Sequence, residues 1–385
     1  MARSRSTVVI VAAGLLSLAA TAPGGAQSPS AGAAAPSESV VPSVSPDPAV
    51  RAGPAGPVTW SVVTKGKDFD ANPAVYSVGQ LPDGRLIVVG SVADLVAPPV
   101  GAAWVSADGS KWGRLKLKSP KGSSITAVAS LGTQTVLTGF GDDGGLTWSS
   151  ADGSAWSKAS PMEGTIYTLI ATPTGYAGAG ILGGAATAWT SPDGATWTTS
   201  TLAPSGRALH VLDMDGTLVV AGATTGADGV STPTVWVSPD GVTWTASALA
   251  DPGTWSIPTA ATTPAGAVVV VSEPGQEGSI SHVFTSPDGG TWSETFTLEP
   301  GSIGASGSVG TDALLIGGGS VLRSPDGVIW VSTPEAVFDG WAARDLITLA
   351  DGRLFVAGDA YIGQTGSAMA TFIGEVQPLP SPAGS

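Results

Sequence analysis

Ser238-Pro239-Asp240-Gly241-Val242-Thr243-Trp244 sets the reading of this chain. Pro239 presets φ for the first corner of a tight turn, Asp240 can bond the local backbone, and Gly241 accepts the positive φ that returns the chain antiparallel. Trp244 then falls on the return strand, where a large ring can pack against a neighbouring sheet. Trp236, two residues before Ser238, faces it across the turn as a cross-strand pair. The pattern S-[AP]-D-G-x-x-W also begins at Ser106, Ser150, Ser191, Ser286 and Ser324, so the six copies start 44, 41, 47, 48 and 38 residues apart. Their acids, Asp108, Asp152, Asp193, Asp240, Asp288 and Asp326, are predicted to be structural turn residues.

A second hairpin signal lies upstream of most copies. It reads Leu81-Pro82-Asp83-Gly84-Arg85-Leu86 in the first unit and Leu349-Ala350-Asp351-Gly352-Arg353-Leu354 in the last. Apolar runs ending in glycine follow, as in Leu86 to Gly90, Leu218 to Gly222 and Leu354 to Gly358, and such runs read as strands buried on both faces. Each unit is therefore strand, turn, buried strand, variable loop, strand, turn, outer strand, a four-stranded antiparallel blade repeating with a period in the forties. The stretch Trp341 to Val376 supplies three such strands and no seventh motif, while Val58-Thr59-Trp60 near the start matches Val242-Thr243-Trp244. The first strand is thus predicted to complete the last blade. The fold class is all-β: a seven-bladed β-propeller of four-stranded antiparallel blades over residues 57–376, closed by an N-terminal strand, which leaves no long open sheet edge.

Composition agrees. The 385 residues include 54 Gly and 30 Pro, about a fifth of the chain, too many of the two poorest helix formers for long helices. Cysteine is absent and there are two histidines, which excludes a disulfide scaffold, a cysteine zinc site and a thiol nucleophile. Lys and Arg number 16 against 30 acids, a net charge of −14, which argues against nucleic acid as partner. Residues 1–26 read as a secretory signal peptide, with Arg3 and Arg5 before an apolar run from 7 to 20 and small residues after it, cut after Ala26 or Ala22, the alternative being an uncleaved signal-anchor. The run is too short to span a bilayer comfortably. Residues 27–56 read as a disordered Ser/Pro/Ala-rich linker and 377–385 as a disordered tail. The expected location is secreted or cell-envelope associated, and the expected state is a monomer without a transmembrane segment in its mature form.

The motif resembles the Asp-box, or BNR repeat, of sialidase-type propellers, S-x-D-x-G-x-T-W. Thr196, Thr243 and Thr291 precede Trp as in that pattern, but in every copy here Asp and Gly are adjacent, one residue shorter. The resemblance implies the propeller and a structural role for the motif. A sialidase would also need an arginine clamp and a tyrosine nucleophile, and no positions match those catalytic motifs.

Ligand sites are expected on the face opposite the two turns, around the channel mouth. Trp255 and Trp341 fall outside the motif, each at the start of an innermost strand, with Tyr76 and Tyr167 slightly further along equivalent strands. An aromatic at the mouth can stack on a sugar or an apolar side chain. Of the arginines, Arg207 and Arg344 are placed to reach the mouth. Asp68, Asp70 and Asn72 have calcium-loop spacing, with Pro73 where such a loop has Gly. Calcium is thus the one weak metal signal, and no other cofactor is expected. His210 and His282 are expected to be structural. Arg114, Lys116 and Lys118 are expected to alternate along an outer strand and guard its edge. The leading expectation is a non-catalytic propeller binding an extracellular protein or glycan through its loop face. The alternatives are a sialidase-like glycoside hydrolase or lyase, which needs only two facing carboxylates, and a structural envelope protein.

Overall fold

A computed structural model describes residues 57–65, 69, 72–93, 97–263, 265–276, 278–362 and 366–377. Those residues form seven sheets of four antiparallel strands each. Blade 1 consists of Pro73–Gln80, Leu86–Val92, Val100–Ser106 and Gly113–Arg114. Blades 2 to 6 follow the same order, with first strands Ser124–Leu131, Thr165–Thr172, Gly206–Met214, Ser256–Thr263 and Ala305–Val309. Blade 7 takes Ala342–Thr348, Leu354–Ile362 and Gly366–Val376, and its fourth strand is Val58–Lys65 from the start of the chain. Each first strand touches the first strands of the two neighbouring blades, and that of blade 7 touches blade 1, so the ring closes. Among the described residues the helical element is one short 3-10 turn, Ala336–Phe338. No helix among them is long and apolar enough to cross a membrane.

Closure is made by side chains as well as by the ladder. Val58 pairs with Val376 and Trp60 with Gly374. The Trp60 ring meets Phe338 edge-on at 5.1 Å and packs on the cluster between blades 6 and 7. The core divides into seven clusters, each joining two adjacent blades. Each motif Trp contributes to the cluster between its own blade and the preceding one. Trp112 stacks on Phe355 of blade 7 at 5.8 Å, and Trp330 packs with Val268 and Val270 of blade 5. Trp60 fills the same role for blade 7.

The motif turn is built from its own residues. Asp240 Oδ1 accepts the backbone N–H groups of Val242 and Thr243 at 2.8 and 2.7 Å, and the Ser238 hydroxyl accepts the Gly241 N–H at 2.8 Å. The same pair of carboxylate bonds recurs at Asp152, Asp193, Asp288 and Asp326. These bonds to the charged form hold the motif carboxylates below the usual range, Asp240 at about 2. Gly194 sits at φ 66°, and a Cβ there would collide with Val136 of blade 2. The turn thus needs glycine both for its conformation and for its contact with the preceding blade.

One outer strand is shorter than predicted. In blade 1 the regular outer strand is only Gly113–Arg114; the Leu115 N–H still reaches the Ala103 carbonyl at 2.8 Å, and Lys121 makes an isolated bridge to Val100. The Leu117 N–H turns back to the Leu115 carbonyl at 2.9 Å, which takes the chain off the regular ladder, although Arg114, Lys116 and Lys118 remain exposed and alternate with the partly buried Leu115 and Leu117. Leu115 and Leu117 still pack on the cluster between blades 1 and 2. The signal, linker and tail residues, and Asp68 and Asp70 of the calcium-like loop, lie outside the described residues.

Candidate functional site at the channel mouth

The first strands carry a shared irregularity. A β-bulge interrupts the pairing of first and second strands between Val75 and Ser77, Ile125 and Ala127, Ile166 and Thr168, Ala208 and His210, and Ala343 and Asp345, with a related shift in blade 5. The residues at the bulge are Tyr76, Thr126, Tyr167, Leu209 and Arg344. A bulge bends the strand and re-aims its side chains. All of these lie in the half of the strand next to the loop face.

Side chains at and just after the bulge bridge to the next blade. Thr126 donates to the Ile166 carbonyl at 2.6 Å. The Thr168 hydroxyl accepts the Val211 N–H at 3.2 Å, and His210 Nε2 bonds the Ile257 carbonyl at 2.9 Å. Thr259 and Ser306 share a bond of 2.6 Å; between blades 6 and 7 the bond lies instead at the turn end, where Thr348, the last residue of its strand, donates to the Ser308 carbonyl of the preceding blade at 2.6 Å. Asp345 Oδ2 accepts the Val78 N–H at 2.8 Å, joining blade 7 to blade 1. Between blades 1 and 2 the Tyr76 phenol hydrogen-bonds the Ser124 hydroxyl. All seven junctions are therefore bridged, five by neutral hydroxyls, one by a histidine and one by a carboxylate.

The two ionisable bridges respond to their enclosure in opposite senses. Burial pushes the Asp345 carboxyl up to about 6, against the N–H groups of Val78 and Leu346 and the Ser77 hydroxyl, which favour its charge. Burial lowers the His210 imidazole, partly offset by its bond to Ile257. Asp345 carries no motif signal in the sequence. It stands out only once the register places it against blade 1.

The predicted site residues separate into two groups. Trp255 and Trp341 each contact a ring on the third strand of their own blade. Trp255 meets the His282 ring at 5.7 Å, and its indole N–H donates to the Asp251 carbonyl at 2.8 Å. Trp341 meets Phe372 edge-on at 6.3 Å. Both are partly buried and pack against inter-blade clusters. His282 is bonded to Glu294 through Nδ1 at 2.7 Å, within blade 5. Asn72 uses its side-chain oxygen to accept the Ser367 N–H at 3.2 Å, tying blade 1 to blade 7.

Tyr76, Tyr167, Arg207 and Arg344 lie near the loop face. The Tyr76 phenol is raised by burial, with the hydroxyls of Ser91 and Ser124 working against that shift. Arg344 Nε is paired with Asp359 at 2.8 Å, so its charge is compensated. Burial also raises the Tyr167 phenol, and the charge of Arg207 lowers it in part. Arg207 itself is exposed. Tyr76 and Arg344 stand on the adjacent first strands of blades 1 and 7, and Tyr167 and Arg207 on those of blades 3 and 4. Among the described residues no cluster of three or more His, Asp or Glu is arranged to hold a metal. Two clefts lie on the opposite, turn face. One of about 230 Å³ is lined by Gly266, Ser286, Asp326 and Gly327, and one of about 570 Å³ by Asp213, Asp215, Thr263 and Ser308.

No protein-family model matches this chain, and no curated protein matches it in sequence. Solved structures do match in shape. A protein of unknown function from Dyadobacter fermentans superposes with a TM-score of 0.51 at 16% identity, covering 84% of this chain and 100% of that one. A putative 6-phosphogluconolactonase from Bacteroides fragilis superposes with a TM-score of 0.50 at 10% identity, covering 71% and 93%. At these identities the likeness shows the propeller fold alone.

Proposed function

We propose that this protein is a binding module that engages its ligand through the loop face at the channel mouth, and that it does not turn that ligand over. The observation that carries this reading is the repeated bulge. Blades 1, 2, 3, 4 and 7 each give up regular pairing at one level of the ring, and three of those bulges present Tyr76, Tyr167 and Arg344 there. Side chains held on paired strands are positioned more rigidly than side chains on loops, which suits recognition. Arg344 is already neutralised by Asp359. In the same reading the chain is exported, on the strength of Arg3 and Arg5 before the apolar run. Its turn is a relative of the Asp-box, one residue shorter, on the strength of the Ser–Asp–Gly bonding described above.

Screening the protein against a glycan array and a displayed peptide library, in parallel with chromogenic glycosides, tests the proposal. Ligands that are retained by the protein and lost on Tyr167→Ala or Arg344→Ala support it. Glycoside turnover, or retention indifferent to both substitutions, overturns it.

A further inference from the structure

Blade 5 holds a group of side chains that the channel mouth does not use. His282 stands on the third strand, Ser279–Ser286. Glu273 lies at the loop-face end of the second strand, Gly266–Pro274, and Glu294 and Thr297 lie on the fourth, Ser293–Leu298. Val271 is opposite His282, so Glu273 is the diagonal neighbour of His282 on the same sheet face. On the other side His282 pairs with Thr297 and, across a register shift, Phe284 pairs with Glu294. Paired strands therefore hold all four side chains.

The His282 ring is fixed by its neighbours. Nδ1 bonds Glu294 Oε1 at 2.7 Å, and the Thr297 hydroxyl donates to the same oxygen at 2.8 Å. Trp255 meets the imidazole edge-on at 5.7 Å and is itself held by its N–H bond to the Asp251 carbonyl. The short bond to a carboxylate assigns the ring proton to Nδ1. The lone pair is then on Nε2, which is shielded from solvent and has no hydrogen-bond partner among the described residues. Nε2 stands 3.4 Å from Glu273 Oε1. Two acceptors facing each other at that distance call for a cation between them. A proton there would give an aligned, charge-assisted bond of about 2.7–2.9 Å. Two donors of one tetrahedral zinc ion, each about 2.0–2.1 Å from the metal, stand about 3.3–3.4 Å apart. A carboxylate on the far ring nitrogen is the common companion of a zinc-bound histidine, because it fixes the tautomer and raises the basicity of the ligand.

We propose that His282 Nε2 and Glu273 form an open two-donor site for zinc, with Glu294 as the positioning carboxylate behind the imidazole. An imidazole beside a carboxylate suits zinc, whereas magnesium and calcium take oxygen donors. Two protein donors leave two tetrahedral positions for water or for donors of a bound molecule. The Glu273 side chain is 37% exposed, so an ion can enter from solvent. The site is separate from the channel mouth, and neither depends on the other.

Zinc titration of the untagged full-length chain tests the proposal. The chain has two histidines and no cysteine, so the ring-nitrogen resonances of both imidazoles can be followed separately, with His210 as the internal control. Zinc should shift His282 Nε2 saturably, at one ion per chain, and leave His210 unmoved; magnesium should do neither. Glu273→Gln should weaken binding at least ten-fold, and Glu294→Gln about ten-fold with one-to-one binding kept. His282→Gln should abolish it. Saturating zinc should raise the thermal midpoint of the wild type and not that of His282→Gln. If His282→Gln fails to fold, the partly exposed Glu273→Gln carries the comparison. The site is overturned by absence of saturation, by an equal response to magnesium, by a response at His210 alone, or by either variant binding zinc as tightly as the wild type.

Discussion

Replacing Asp345 with Asn should remove a pH dependence that the wild-type ring carries between about pH 4 and 6. Asp345 lies on the first strand of blade 7 and accepts backbone N–H groups from its own blade and from Val78 of blade 1. Enclosure by the ring raises its carboxyl from 3.8 to about 6. The folded state thus holds this proton more tightly than the unfolded chain does. Stability from the group is fully present below about pH 4 and is lost as pH rises through about 6. A rise of about two pKa units corresponds to about 3 kcal/mol, an upper bound because Asp345 is only partly buried by surface area. Asn resembles the protonated carboxyl in shape and keeps one acceptor, so Asp345→Asn should be equal to or somewhat less stable than wild type at pH 4. From pH 4 to 7 the wild type should lose up to about 3 kcal/mol relative to the variant. Denaturant unfolding of both proteins at pH 4, 5, 6 and 7 measures the difference directly. A wild-type-minus-variant difference that stays constant to within about 0.5 kcal/mol across that range refutes the argument.

His210 makes the converse case: its imidazole is lowered by burial, so stability present above about pH 6.5 should fall as pH drops below that value, and His210→Gln should flatten the loss in the same unfolding series. Trp60→Ala should cost about 2–4 kcal/mol through the cluster between blades 6 and 7. A chain starting at Pro57 should keep the full-length thermal midpoint, and one starting after Lys65 should lose it; equal midpoints for the two would contradict the closure. Gly194→Val should cost about 1–3 kcal/mol or more, from its positive φ and the collision with Val136. Gly84→Ala, at φ 87° with open space around it, should cost only about 1 kcal/mol, as read from thermal midpoints.

The blades were legible because each motif residue bonds within its own turn. Ser238, Asp240 and Gly241 satisfy one another whatever the rest of the chain does, so a seven-residue window contains the whole cause. Trp60 was legible by the same logic, as the copy missing from the last unit. The site was less so. Position along a strand could suggest the mouth for Trp255 and Trp341, but not their ring contacts with His282 and Phe372, which are distant in sequence. The bulges depend on one residue of slip between two strands, which leaves no mark on a period-two pattern. The bond from Asp345 to Val78 is a property of a neighbourhood, and it appears only when adjacent blades are brought together. Blade 1 lost its predicted long outer strand to a local turn at Leu115 and Leu117.

The bond from the Gln377 N–H to the Pro57 carbonyl, at 2.9 Å, sets the first and last strands of the propeller side by side. The covalent order of the blades is then almost independent of where the polypeptide is cut. Joining residue 377 to residue 57 through a short linker and opening the exposed Gly183–Gly184 tip would make a circular permutant in which blade 3 is the composite blade. The position now stitched by Trp60 would then be secured by continuous chain. The seam is thus a property of genetic order, and the molecule it closes has no intrinsic first blade.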